Sequence, residues 1–195
     1  MPEEHAILAV LPDFTGDLLQ VPPMASALKL EGVRLYELRR RGVTVERKAR
    51  PVRVYSLTLT AIDPQEETAG FEISCSSGTY VRTLIADLAE RLETGAYLTA
   101  LRRTRVGHLS VEQAAQPDDL TPSTLRNRII QMSEVVSHLP AVEVDEDDER
   151  AVRSGRVIRL GGMAGSFRVE RGGMLLAIYR GDGKVSRAEV VLCGG

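Results

Sequence analysis

The sequence has no apolar run approaching the ~20 residues that a helix needs to cross a bilayer. It also has no basic stretch followed by an apolar leader. Neither a membrane-embedded nor a secreted protein is therefore expected. Cysteine is scarce: Cys75 and Cys193 are the only two in 195 residues. Two thiols cannot build a disulfide framework or a metal cluster, and this fits a reducing, cytoplasmic setting. The histidines His5, His108 and His138 lie far apart and without ligand spacing, so no metal is expected. The chain has no internal repeat and no low-complexity tract.

What is present is an ordinary globular balance, with 43% hydrophobic and 27% charged residues. The length allows one domain of usual size and a small second one. A net charge of −2 argues against a generic nucleic-acid binder, but the distribution of that charge points the other way. Between Arg34 and Arg53 eight cations (Arg34, Arg39, Arg40, Arg41, Arg47, Lys48, Arg50, Arg53) face only Glu37 and Glu46, a local balance of +6. Such a patch can neutralise backbone phosphates and release counterions whatever the global charge. A solvated basic loop has the same composition.

The most informative stretch is Cys75-Ser-Ser-Gly-Thr-Tyr-Val-Arg-Thr83 with the helix after it. Phe71, Ile73 and Cys75 alternate with Glu72, Ser74 and Ser76, the pattern of a half-buried strand. Gly78 breaks the strand. Val81, Leu84, Ile85, Leu88 and Leu92 then recur at helical spacing, with Tyr80 and Arg82 on opposite flanks of the stripe. No carboxylate stands at ion-pair spacing from Arg82 within the helix. A desolvated Arg82 would need a partner from elsewhere, and otherwise it snorkels to water.

Elsewhere, residues 2–14 read as a short helix, and Gln20 to Ser26, with Pro22-Pro23, as extended chain. Val33 to Arg41 reads as a helix stopped by Gly42. Val52 to Ile62 and Phe71 to Ser76 read as a hairpin joined by an acidic, turn-rich loop. Thr121-Pro122 caps a helix expected to reach about His138. Pro140 marks a boundary, giving domains at 1–138 and 139–195. Beyond it come a short extended segment at 142–144, a small helix from Asp145 closed by Gly155, and three strands at 166–169, 174–180 and 185–192. The class is α+β, with a compact β domain last.

Three ordered motifs are similar to a known family, the TruB-type tRNA pseudouridine synthases. They are Cys75 to Thr83, Gly95-Ala-Tyr-Leu-Thr-Ala-Leu-Arg-Arg-Thr-Arg-Val-Gly107 and Gln20-Val-Pro-Pro-Met-Ala-Ser-Ala-Leu-Lys-Leu-Glu-Gly32. The resemblance implies part of a mixed pseudouridine-synthase sheet with helices, followed by a small PUA-like β domain. It implies a thumb at about 20–51 that closes on tRNA, and isomerisation of a T-loop uridine without a cofactor. In that reaction an Asp carboxylate attacks a flipped-out nucleotide, the glycosidic bond breaks, and the base is rejoined through carbon. Tyr80 would pack on the base, Arg82 would hold the catalytic Asp ionised, and Leu101 would line the pocket. Lys29, Arg34, Arg39, Arg40, Arg41, Arg102 and Arg103 would contact the T-arm.

The sequence departs from the family in two places. Ala25 stands where the family usually has Tyr, which removes an aromatic from the thumb. The family's Gly-x-Leu-Asp-Pro-x-Ala-Thr-Gly segment, which carries the catalytic Asp, has no counterpart in these residues. Ile62-Asp63-Pro64 with Thr68-Ala69-Gly70 echoes it, but sits in the hairpin loop, and Asp63 reads as a turn former. The expectation is the later portion of the enzyme, inactive alone, with a sheet edge open to self-association. A non-catalytic RNA-binding module is the alternative, and a plain α/β scaffold with a solvated basic face is a third.

Overall fold

A computed structural model of the chain describes residues 1–30, 32–158 and 162–192. The expectations for Cys193 fall outside them. The chain divides into two compact units, Met1–Arg102 and Arg103–Gly195.

In the first unit, helix α1 (Glu4–Val10) runs into a 3₁₀ turn (Leu11–Phe14) and strand β1 (Gly16–Gln20). Short strands β2 (Lys29–Leu30) and β3 (Val33–Arg34) pair antiparallel and lead into α2 (Leu35–Arg40). Strands β4 (Arg50–Asp63) and β5 (Thr68–Cys75) form the expected hairpin, and α3 (Val81–Arg91) follows. The sheet order is β1–β4–β5, antiparallel throughout. One face of the sheet is buried under the two longer helices. Ile7, Leu11, Val54, Leu57, Leu84 and Leu88 make the core, because the apolar stripe of α3 buries Leu84, Ile85, Leu88 and Ala89 together.

Strand β4 does not alternate uniformly. Val52 and Val54 are buried, then Leu57 is buried and Leu59 and Ile62 pack on the core. The parity of the inward residues changes twice. The register shifts between Val54 and Ser56 and again between Leu59 and Ala61 account for both changes, since each bulge inserts one unpaired residue. At the far end of the hairpin, Asp63 Oδ1 accepts the N–H groups of Gln65 and Glu66 at 2.9 and 3.1 Å. This is an Asx-type turn, which uses the carboxylate for local structure.

The second unit opens with a small hairpin, β6 (Arg105–Val106) and β7 (Leu109–Ser110), and two short helices, α4 (Pro122–Leu125) and α5 (Met132–Val135). The single helix expected from 121 to 138 is broken in two. Thr121 caps as expected, but Ile129, Ile130 and Met132 stay 59%, 41% and 53% exposed. Without a buried stripe a helix of this length is marginal in water.

Strand β8 (Ala141–Glu143), helix α6 (Glu146–Arg153) and strands β9 (Ala164–Arg171), β10 (Met174–Asp182) and β11 (Ser186–Val191) complete the chain. The sheet order is β11–β10–β9–β8, with β8 parallel to β9 and the other pairs antiparallel. Phe167, Val169, Leu176, Ala177 and Tyr179 form its core with Val144, Val152 and Ile158. The Tyr179 hydroxyl donates to the Arg156 carbonyl at 3.0 Å, so its polar tip is satisfied. Asp145 caps α6 by accepting from the Asp148 N–H at 2.9 Å, and Gly155 closes that helix at φ +63°.

The class is α+β with a small β-sheet unit at the end. The division between units falls before the boundary expected at 138/139, because residues 103–138 associate with the later sheet. Arg168 makes one such tie, from Nη1 to the Val136 carbonyl at 3.3 Å.

This packing sets the response of the second unit to two substitutions. A Cβ on Gly181 would stand 2.1 Å from the Met163 carbonyl oxygen, so Gly181→Ala is expected to cost about 1–3 kcal/mol in urea unfolding of the second unit. Glu149 accepts hydrogen bonds from Arg171 and from Arg153, and these hold its carboxyl below the ordinary value of 4.5. The resulting stabilisation is complete above that value and is lost as pH falls through the lowered folded value. Unfolding midpoints measured from pH 6 down to pH 3 are expected to fall less steeply in Glu149→Gln than in the unaltered chain.

Candidate nucleic-acid interface

The end of β1 and the start of α3 come together in the first unit. Gln20 is the last residue of β1 and is 4% exposed. Its amide reaches across the sheet to one residue, Tyr80. Gln20 Oε1 accepts the Tyr80 N–H at 2.7 Å, and Gln20 Nε2 donates to the Tyr80 carbonyl at 3.1 Å. Tyr80 is the N-cap of α3, and its side chain makes no capping hydrogen bond. Its carbonyl also accepts the first helical N–H, from Leu84, at 3.0 Å. An outside side chain thus holds both main-chain groups of the residue that starts the helix.

The turn before Tyr80 is fixed separately. Ser76 Oγ accepts the Arg53 N–H at 2.9 Å, and the Ser76 N–H donates to the Arg53 carbonyl at 2.8 Å. This carries the β4–β5 ladder one step past Cys75. Gly78, at φ +84°, then supplies the left-handed turn that few other residues tolerate. Together these features set Tyr80, half-buried, on the wall of a cleft of about 320 Å³. Gln20, Pro22, Leu28, Arg50 and Gly78 line the cleft with it. That volume is in the range of small-ligand sites.

The candidate residues do not all gather there. Arg82 lies in the first turn of α3 and is exposed. Its side chain has no hydrogen bond or ion pair to any described residue and does not line the cleft. The structure therefore shows the snorkelling arginine and not the desolvated one. Leu101 is 67% exposed and stands outside the cleft lining. Arg50, in the sequence one member of the basic run, is here a cleft residue.

The thumb cations are exposed at Lys29, Arg34, Arg39, Arg40 and Arg41. Tyr36 organises two of them. The guanidinium carbons of Arg34 and Arg40 lie 5.9 and 5.7 Å from its ring centroid, a cation–π arrangement. Arg34 Nη1 also donates to the Tyr36 hydroxyl at 3.1 Å, and this bond holds the guanidinium more firmly protonated than usual. Arg47 is tied back to the Pro22 carbonyl at 3.2 Å. Arg102 and Arg103 are exposed where one unit ends and the next begins. Among the described residues no three His, Cys, Asp or Glu side chains group in a way that could hold a metal, and no helix is long and apolar enough to cross a membrane.

Sequence reasoning missed the parts played by Gln20 and Tyr36. The signal for Gln20 was a lone amide at a strand end, just ahead of Pro22-Pro23 but with no local partner. Tyr36 was flanked by cations at i−2 and i+4, a spacing that places the later one on the same helix face.

Residues 1–81 match the family model for the N-terminal domain of TruB family pseudouridylate synthases. Residues 82–142 match the model for the tRNA pseudouridylate synthase B C-terminal domain. The tRNA pseudouridine synthase B of Mycobacterium ulcerans is 36% identical over 191 residues, covering 96% of this chain and 63% of that protein. The protein of the same name from Pasteurella multocida is 41% identical over 160 residues, covering 78% of this chain and 52% of its own length. The chain thus spans between half and two thirds of the length of these curated relatives.

Among solved structures, a Cbf5–Nop10–Gar1 complex contains a chain similar in fold at TM-score 0.73 and 23% identity, covering 98% of this chain and 62% of that one. An archaeal box H/ACA sRNP Nop10–Cbf5 complex contains another at TM-score 0.68 and 21% identity, covering 97% and 62%. With two consecutive family models accounting for residues 1–142, and relatives of one name aligned along most of its length, the chain belongs to the TruB family of pseudouridylate synthases.

Proposed function

We propose that this chain contributes to a tRNA pseudouridine synthase that isomerises a T-loop uridine. The observation that carries the reading is Tyr80, held by its backbone at the mouth of an α-helix and on the wall of the cleft. An aromatic side chain there gives an unstacked base about 1–3 kcal/mol of stacking. Extruding a base from its own stack is what a reaction at the glycosidic bond requires. Arg50, on the same cleft, is placed to meet a backbone phosphate. Lys29, Arg34, Arg39, Arg40 and Arg41, with Arg102 and Arg103, are the sequence-independent contacts to the T-arm.

Arg82 is the proposed partner of the attacking carboxylate. Its exposure and lack of a partner among the described residues suit a guanidinium that waits for a charge from outside these residues. The same observation favours a second reading, a non-catalytic module that docks on tRNA through the thumb. A third proposal, that the open edges of the β1–β4–β5 sheet support self-association, rests on those edges having no further strand among the described residues.

Two measurements on the 195-residue chain separate these readings. Binding to a T-arm hairpin should weaken steeply with salt, and changing Arg39, Arg40 and Arg41 to Ala should reduce the slope of log K against log[salt] by about 2–3. Salt-insensitive binding would mean that the basic patch is only solvated. An isomerisation assay on the same hairpin is expected to show no turnover by these residues alone. Turnover abolished by Asp63→Ala would instead make the hairpin-loop carboxylate the nucleophile.

A further inference from the structure

The buried amide of Gln20 is not explained by stability alone. A buried carboxamide must be hydrogen-bonded or it is costly, but any combination of partners would satisfy it. Here both ends of the amide are used on a single residue that lies 60 positions away. The geometry points to Gln20 as a positioning residue: its amide grips the main chain of Tyr80 from both sides and fixes the direction in which that residue meets an unpaired base. This rests on the stacking role proposed for Tyr80.

Tyr80 needs such a support. It is the N-cap of α3 without a side-chain cap of its own, and it sits at φ −95°, ψ 99°, between the turn at Gly78 and the first helical residue. A helix end of that kind frays unless its free groups are held. Gln20 belongs to the sheet, through its pairing with Arg50, so the grip transfers the rigidity of β4 to the helix start. Stacking depends on ring placement, and sites perform best when the functional group is locked by a supporting hydrogen bond. Gln20 also lines the cleft, so its amide is buried only as far as the cleft wall.

The test compares two hairpins, one with the T-loop uridine and one with an abasic nucleotide at that position, each titrated against the chain by fluorescence anisotropy. The unaltered chain is expected to prefer the uridine hairpin by about five- to tenfold, from the stacking of one base on one ring. In Gln20→Met, which keeps the length and removes both polar atoms, that preference is expected to vanish while abasic binding and its salt slope are unchanged. Tyr80→Ala should lose the same preference, and the double variant should lose no more than either single one. Gln20→Asn withdraws the amide by one methylene and should lose the preference as well; it stands in should the Met variant fail to fold. Faster amide hydrogen exchange at Tyr80 in either variant would show that the grip is gone. If a folded Gln20 variant with a released Tyr80 amide still distinguishes the two hairpins as the unaltered chain does, the positioning role is wrong and the stacking reading stands. If the unaltered chain does not distinguish them, the stacking reading fails and takes the positioning role with it.

Discussion

A polar side chain shut away from water has to find its partners within the protein, and Gln20 finds both on one residue. That exchange joins the last position of the first strand to the N-cap of α3. Everything on the cleft side of the N-terminal unit follows from it. The strand is fixed to its long neighbour by the ladder, the helix is fixed to the sheet by Leu84 and Leu88, and the amide fixes the one place where the chain leaves the sheet for the helix. Packing alone would leave that junction free to fray, because apolar contact is non-directional. Two hydrogen bonds of opposite polarity to a single peptide position are directional.

The basic thumb obeys a different rule. Charges of one sign crowded on a short helix repel, and α2 has only Glu37 to offset Arg39 and Arg40. The ring of Tyr36 relieves part of that repulsion by offering a negative face to two guanidinium groups. The cations remain exposed while their orientations are narrowed. Arginine suits this better than lysine, since its planar group both stacks and forks.

Much of this architecture was legible in the residues. Alternation from Phe71 to Cys75, helical spacing from Val81 to Leu92 and the glycine-rich turns of the last sheet all report local periodicities that tertiary contacts then reinforce. The failures are equally specific. The helix expected across 121–138 had its cap but no buried face, and a cap cannot hold a helix whose apolar side stays wet. Arg82 could equally be desolvated or solvated from its position on the wheel, because which flank of a helix is covered depends on elements distant in sequence. Gln20 was invisible for the same reason: its partner is long-range, and no spacing rule links positions 20 and 80. Tyr80 is singled out by motif resemblance alone, and the fold sets it on the wall of the cleft.

The two irregularities in β4 have one more effect. In a uniform strand a slip of two residues restores the same facing pattern, so sliding by a pair is the error that hairpins must guard against. Here the unpaired positions near Tyr55 and Thr60 interrupt the ladder at fixed points. Any slip would carry them against partners that cannot accommodate an extra residue. Gly70, whose missing side chain leaves room beside the Thr60 hydroxyl, accepts one of them at a single alignment. The hairpin therefore carries its own key, like a notched ruler that closes against its mate in one position alone.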